Sequence, residues 1–508
     1  MDRRAVKTAV LLLAAVCILA ACGEKEEEEN RQARICVTLQ DAKGAALPGG
    51  EIEAEEGREI RKWVADDRGI LEISGWKEDE TMEIRKEKVI KTFVQEGYDC
   101  IIIYADVEHS ANFEYLTGFI PRFEEACLVL HKNGDCYLLL GNEVLGMSKH
   151  SRIKNTPLHV PQFSLPDQPL EGKKEMVDYF KEAKITNKKV GLIGWKALYK
   201  INKDMFDVPH YIVEAIKTIA LSVSNATNIM IGEVGVRRIN TVDEIRHYEY
   251  GQVLAASNML KALDSLQIGK TEIEMASILE SEGQRNNVVT IFSTGERFAK
   301  ANLYPSMKKM ILGDAISMTV GYKGGLSSRT GYLVSDKNQL SETESDYIEK
   351  VAAPYFNAVR TWLENIHVGM SGKELYSIID RCLPKKIYRW SLNPGHLAAD
   401  EEWLCSPIYK DSNESLESGM ILQIDIIPSV EGYSKPCCEN GILLANEQLR
   451  ERIKNQDYEM WRRFETRRQY IKEQLGIELH EDVCPLSNMV AYYRPFLLDK
   501  GKALSIID

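Results

Sequence analysis

The chain has 508 residues, enough for roughly three domains and a sizeable core. A formal net charge of −12 excludes a general nucleic-acid binder and leaves the fold open. Eleven cysteines without a C-x-x-C pair make neither a disulfide framework nor a zinc ribbon.

The first residues read as an export signal. Arg3, Arg4 and Lys7 precede an apolar run, Ala9 to Ala21, that is too short for a comfortable membrane span. The run closes on Leu19-Ala20-Ala21-Cys22, which resembles the bacterial lipobox. That resemblance implies a lipoprotein signal peptide over 1–21, lipidation of Cys22, an acidic tether over 22–32 and an extracytoplasmic protein anchored to the cell membrane by lipid. Residues 33–86 are short, alternating and turn-rich, with strands expected at Ile35 to Leu39, Glu51 to Ala54 and Ile70 to Ile73. Their D-x-x-G-x-x-L-P-G opening and D-x-x-G-x-L-x-I close resemble the carboxypeptidase-regulatory-like domain. A small β-sandwich with no catalytic residue is implied.

Residues 87–233 change to mixed α/β character. Lys88 to Glu96 is expected as a helix and Cys100 to Tyr104 as a buried strand. Ala126 to Leu140 reads as a hairpin around Asn133-Gly134, and Val190 to Ile193 as a further strand.

Beyond Arg237 the chain repeats itself. Thr241-x-x-Glu244 and Thr271-x-x-Glu274 are capping boxes, and Ser341-x-x-Glu344 and Ser371-x-x-Glu374 recur one hundred residues later. Gly269 and Gly369 fall in register. Each helix pair leads into a hairpin, Ala315 to Val334 and then Met420 to Leu444. Gly313 aligns with Gly419, which sets Thr319 opposite Asp425. A duplicated αα-ββ unit about a pseudo-twofold axis is expected over 234–508.

The candidate site lies in the second half. A turn, Asn393-Pro394-Gly395, presents His396. An expected strand from Met420 to Pro428 carries Asp425, and a second strand brings Glu439. An ionised carboxylate among so many apolar neighbours is costly unless it is paired or binds a metal.

Duplicated halves of this kind resemble the pita-bread family of Xaa-Pro aminopeptidases, prolidases, methionine aminopeptidases and creatinase. Asn112 to Phe119 (NFEYLTGF) resembles the creatinase/prolidase N-terminal domain. Gly395-His396, Ser418-Gly419-Met420 and Glu439-Asn440-Gly441 resemble the family's signposts in the right order. The implied fold is α/β (α+β): a pita-bread domain preceded by a creatinase-like α/β domain and the β-sandwich. Most members bind two divalent metals through two Asp, a His and two Glu. Carried over by position, His396 and Glu439 match, and Asp425 stands in place of the other Glu. Thr319 occupies the first Asp position, the second falls within Ser327 to Thr330, and no acid lies between Asp314 and Asp336.

Two hydroxyls do not replace two bridging carboxylates, so a standard dinuclear centre is not expected. His396, Asp425 and Glu439 are left to hold at most one divalent ion (manganese, zinc or cobalt), or none. His396 and Glu439 are the candidate catalytic residues, with Thr319, Arg329 and Trp403 the candidates for substrate binding. Glu401 and Glu402 read as a solvated loop. The resemblance implies a hydrolase acting on short peptides or small amide or amidino compounds. A pseudopeptidase that binds such a ligand without cleaving it is the alternative, and a homodimer is a further implication.

Overall fold

The computed structural model describes residues 82–168, 174–280 and 283–506, with the backbone of four strands nearer the N-terminus. The expected signal, Cys22 and the tether lie outside the described residues. The chain divides into two compact units, residues 1–52 with 62–78, and residues 53–61 with 79–508. Ala33–Thr38 pairs antiparallel with Ile70–Trp76, and Glu51–Glu56 pairs with Glu59–Val64. The three expected strands are present, and Glu59–Val64 is a fourth.

From residue 79 on, the larger unit continues with the helix Met82–Gln95 and a six-stranded mixed sheet. The centre of the sheet is Cys100–Ala105, parallel to Lys189–Ile193 and antiparallel to Ala126–His131. Every residue of these two antiparallel strands is buried, as expected of apolar runs covered on both faces. The Asn133-Gly134 hairpin forms as read, with Cys136–Leu140 returning antiparallel to Ala126–His131.

The duplication is visible bond by bond. Helices Val242–Ser265 and Glu272–Ala276 both start in complete capping boxes, at Thr241 and Thr271. In the second half Ser371 caps Gly372–Cys382. The box expected at Ser341 opens no regular helix, because a π-turn over Ile348–Ala352 comes before Ala353–Asn365. Pro354, at the start of Ala353–Asn365, has no N–H to bond to the turn before it, and the widened π-turn sits at that place. Glu344 accepts from the Ser341 hydroxyl at 2.6 Å and from the Tyr332 hydroxyl at 2.7 Å.

Each half carries a four-stranded sheet. The first runs Ile291–Thr294, Ala315–Tyr322, Gly325–Tyr332 and Cys438–Glu439. The second runs His396–Leu397, Ile421–Gln423, Gly441–Leu444 and Val483–Pro485. Ile291 pairs with Thr319 in one, and His396 with Gln423 in the other. The expected long strand from Met420 to Pro428 is only three residues, and its return strand splits. Gly441–Leu444 stays with it, while Cys438–Glu439 crosses to the first hairpin. That crossing carries Glu439 to the first sheet.

Buried amides join the two sheets. Gln252 Nε2 donates to Gly324 O at 2.9 Å and to Gln423 Oε1 at 3.2 Å, and Gln423 Nε2 donates to Leu326 O at 2.9 Å. Gly251 allows this approach, since a Cβ there would lie 1.9 Å from Lys323 O.

Candidate functional site

His396 is set by its turn. Trp362, fully buried in the helix Ala353–Asn365, donates from Nε1 to Pro394 O at 2.7 Å. Gly395 then takes φ +135°, where a Cβ would come within 3.0 Å of Gln423 O. His396 emerges with no exposed surface. Its Nδ1 lies 3.1 Å from Leu397 O, an atom that can only accept, so Nδ1 carries a proton. Its Nε2 lies 3.0 Å from Glu402 Oε1. A neutral ring would aim a lone pair at that carboxylate, so only the imidazolium suits both neighbours. Burial opposes the charge, but Glu402 and then Asp425 outweigh it and the histidine pKa is raised. Trp403 stacks on the imidazole with ring centroids 4.1 Å apart and planes 19° apart.

The reading of Glu401 and Glu402 as a solvated loop is corrected here. Glu401 accepts from buried Arg237 at 2.7 Å, and Glu402 is the partner of His396. The turn after His396 folds back on it, a tertiary contact that loop composition does not encode.

On the opposite wall, Thr319 and Ser328 are a cross-strand pair whose hydroxyls meet at 2.7 Å. Ser328 in turn pairs with Glu439, which places the second expected acid position at Ser328 within the Ser327 to Thr330 window. The Cys437 side chain hydrogen-bonds to both Ser328 and Glu439, and Glu439 hydrogen-bonds to Asp425. Thr319, Ser328, Cys437, Glu439 and Asp425 therefore form one buried chain.

Two carboxyls in contact cannot both stay ionised in so dry a place. Burial pushes Asp425 up to about 6 from an ordinary 3.8, and Glu402 adds to the rise against the pull of His396 and Glu439. Glu439 rises well above its usual range through burial, then through Asp425 and Glu402. Burial also pushes the Cys437 thiol far up, so it is neutral and not a thiolate nucleophile. A shared proton between Asp425 and Glu439, and an imidazolium facing Glu402, leave little uncompensated charge.

Two buried atoms at the centre, His396 Nε2 and Asp425 Oδ1, have no hydrogen-bond partner of good geometry. The Nε2 to Glu402 contact is an ion pair at 3.0 Å. The donor set does not fit two cations. One wall offers two neutral hydroxyls bonded to each other, and only the other wall carries the carboxyls of Asp425 and Glu439. Among the described residues, no group of three or more His, Cys, Asp or Glu is arranged to hold a metal ion.

Arg329 was expected to clamp a ligand. It is buried, and its guanidinium donates to the carbonyls of Tyr492, Ser328, Glu439 and Met489 and to Asn440 Oδ1. Those contacts occupy all five N–H groups. Arg329 here positions the strand that carries Glu439 and has no donor left over.

Two similar halves of helices and hairpins, preceded by an α/β domain with a six-stranded sheet, make up the pita-bread fold. Solved structures agree. The prolidase from Pyrococcus horikoshii matches with a TM-score of 0.56 at 18% identity, over 71% of this chain and 95% of its own. An Xaa-Pro dipeptidase from Bacillus anthracis matches with a TM-score of 0.56 at 15% identity, over 72% and 96%. An X-Pro aminopeptidase from Thermotoga maritima matches with a TM-score of 0.54 at 18% identity, over 72% and 95%. At such identities the likeness establishes the fold and not the chemistry. No protein-family model matches the sequence, and no curated protein matches it.

Proposed function

We propose that this protein is a lipid-anchored, extracytoplasmic pseudopeptidase: a pita-bread fold that binds a short peptide or small amide without two-metal hydrolysis. The carrying observation is buried Asp425 Oδ1, which has no hydrogen-bond partner, beside the His396 Nε2 donor, which meets Glu402 as an ion pair. An unsatisfied buried polar group costs roughly 1–3 kcal/mol, which a ligand able to accept from one and donate to the other would return. An amide offers both functions. Trp403, 39% exposed, covers the imidazole and would form the outer contact with such a ligand. Anchoring is supported by Leu19-Ala20-Ala21-Cys22 at the end of the apolar run. Among the described residues no helix is long and apolar enough to cross a membrane.

The His396–Glu402 pair bears on catalysis directly. A general base needs a free lone pair at working pH, and an imidazolium held by Glu402 lacks one. A second reading, hydrolysis without a metal, is favoured by one observation: Asp425 near pKa 6 could pass a proton near neutral pH. The test is to titrate Xaa-Pro dipeptides into the full chain by calorimetry and to assay their cleavage with manganese, cobalt or zinc added. Binding without turnover, lost in Asp425→Asn, is expected. Robust turnover that disappears in His396→Ala would establish the enzyme instead. Neither binding nor turnover would remove the amide-ligand reading.

A further inference from the structure

The two halves of the pita-bread domain serve as controls for each other at their outer edges. In the first half, Gly269 N–H donates to Met310 O at 2.9 Å, Met310 N–H to Lys270 O at 2.8 Å, and Ile273 N–H to Ser306 O at 3.1 Å. In the second, Gly369 N–H donates to Leu416 O at 2.8 Å, Leu416 N–H to Met370 O at 2.8 Å, and Lys373 N–H to Ser412 O at 3.1 Å. Positions 307, 309 and 311 therefore correspond to 413, 415 and 417, and all six are exposed. In the second half they are Asn413, Ser415 and Glu417, ordinary surface residues. In the first they are Met307, Lys309 and Ile311, beside exposed Tyr304, Leu312 and Ile273. Met307 is 73% and Tyr304 65% exposed. The backbone is the same, so the fold does not require this apolar strip.

Charge divides the same way. From Arg297 to Gly313 the chain has Arg297, Lys300, Lys308 and Lys309 and no acid. The corresponding stretch, Trp403 to Gly419, sets Lys410 against Asp411, Glu414 and Glu417. Three of the four first-half cations have partners: Arg297 with Glu272, Lys308 with Asp314 and Lys300 with Glu296. Among the described residues neither Lys309 nor the adjacent Lys270 forms a salt bridge, and the Glu274 carboxylate near both is already bound by the Thr271 cap.

We propose that this edge is a peripheral membrane-binding face. Tyr304, Met307 and Ile311 enter the headgroup region of an anionic phospholipid bilayer, and Lys270 and Lys309 meet lipid phosphates. Exposed aromatic and aliphatic side chains interleaved with lysine suit the interface between headgroups and acyl chains. A cationic strip on a chain of net charge −12 is complementary to an anionic surface and not to the rest of the protein. A second copy docked face to face would set Lys270 and Lys309 against their own equivalents. The face does not depend on lipidation of Cys22.

The test follows hydrogen–deuterium exchange of the full chain in vesicles of phosphatidylglycerol with phosphatidylcholine, and in phosphatidylcholine alone. In the anionic vesicles, residues 303–313 exchange more slowly than in phosphatidylcholine alone. Residues 409–419 stay unchanged as the internal reference. The double variant Met307→Asn, Ile311→Glu, which copies the second-half residues, loses the protection while exchange elsewhere shows the fold intact. Equal exchange of 303–313 in both vesicle types overturns the proposal. So does protection without vesicles that grows with protein concentration, which would assign the face to a second copy.

Discussion

Thr319 Oγ1 and Ser328 Oγ hydrogen-bond at 2.7 Å across the first hairpin, and Ser328 pairs with Glu439 on the next strand. This satisfied, neutral pair is where one wall of the site lacks anionic charge. Replacing both residues with Asp would bury two carboxylates beside Asp425 and Glu439. Without metal the double variant should lose about 3–5 kcal/mol, the scale of an uncompensated buried charge. Added manganese should restore its melting temperature while leaving the wild type unmoved. Thermal scans with and without the ion check both halves of the statement.

Glu402→Gln removes the counter-ion of His396. The raised histidine pKa means that the pair's contribution is complete below the unfolded value, near 6.5, and is lost as pH rises through the folded value. The variant should therefore lose about 1–3 kcal/mol at pH 5 to 6, with a smaller difference in alkaline solution. The His396 ring resonance should titrate at lower pH than in the wild type. An unchanged midpoint would remove Glu402 from the account.

Asp425 moves with the same sign by a different route. Its folded pKa of about 6 lies above its ordinary 3.8, so the native state holds this proton more tightly than the unfolded chain does. Stability from this group is highest in acid, declines as pH rises from about 4 through about 6, and levels off above the folded value. The decline is on the order of 2–3 kcal/mol. Asp425→Asn cannot ionise and should flatten that part of the profile, so its advantage over the wild type grows toward pH 8. Urea unfolding at pH 4.5 and pH 8 measures the difference.

Arg329→Lys keeps the charge but loses the five-donor fork that holds the carbonyls of Ser328, Glu439, Met489 and Tyr492. Several buried acceptors would be left unpaired, and a loss of about 2–4 kcal/mol is expected. The denaturant midpoint should fall. A variant as stable as the wild type would free Arg329 for the ligand-binding role first expected of it.

The frame of the second domain was legible because duplication multiplies weak local signals. Thr241 and Thr271 form full capping boxes, Ser371 caps its helix, and Gly313 and Gly419 adopt φ of +88° and +95° in register. The hairpin around Asn133-Gly134 was equally plain. Where the reading failed, nonlocal contacts decided. Glu402 sits in a stretch whose composition says solvated loop, and only the fold of the chain onto His396 gives it a partner. Cys437 reads as one more buried thiol until the crossing strand sets it between Ser328 and Glu439. The strand expected from Met420 to Pro428 was overextended because continuous burial, not pairing, makes its second half apolar. At Ser341, the capping pattern is followed by turns over 342–346 rather than by a regular helix.

The most direct test of the central claim is metal stoichiometry. The full chain, dialysed against manganese and then against metal-free buffer, is measured by elemental analysis. A mutually bonded hydroxyl pair, Thr319 and Ser328, on the wall that would have to supply two carboxylates predicts less than one tightly held divalent ion per chain. Two per chain would contradict the account, whatever residues held them.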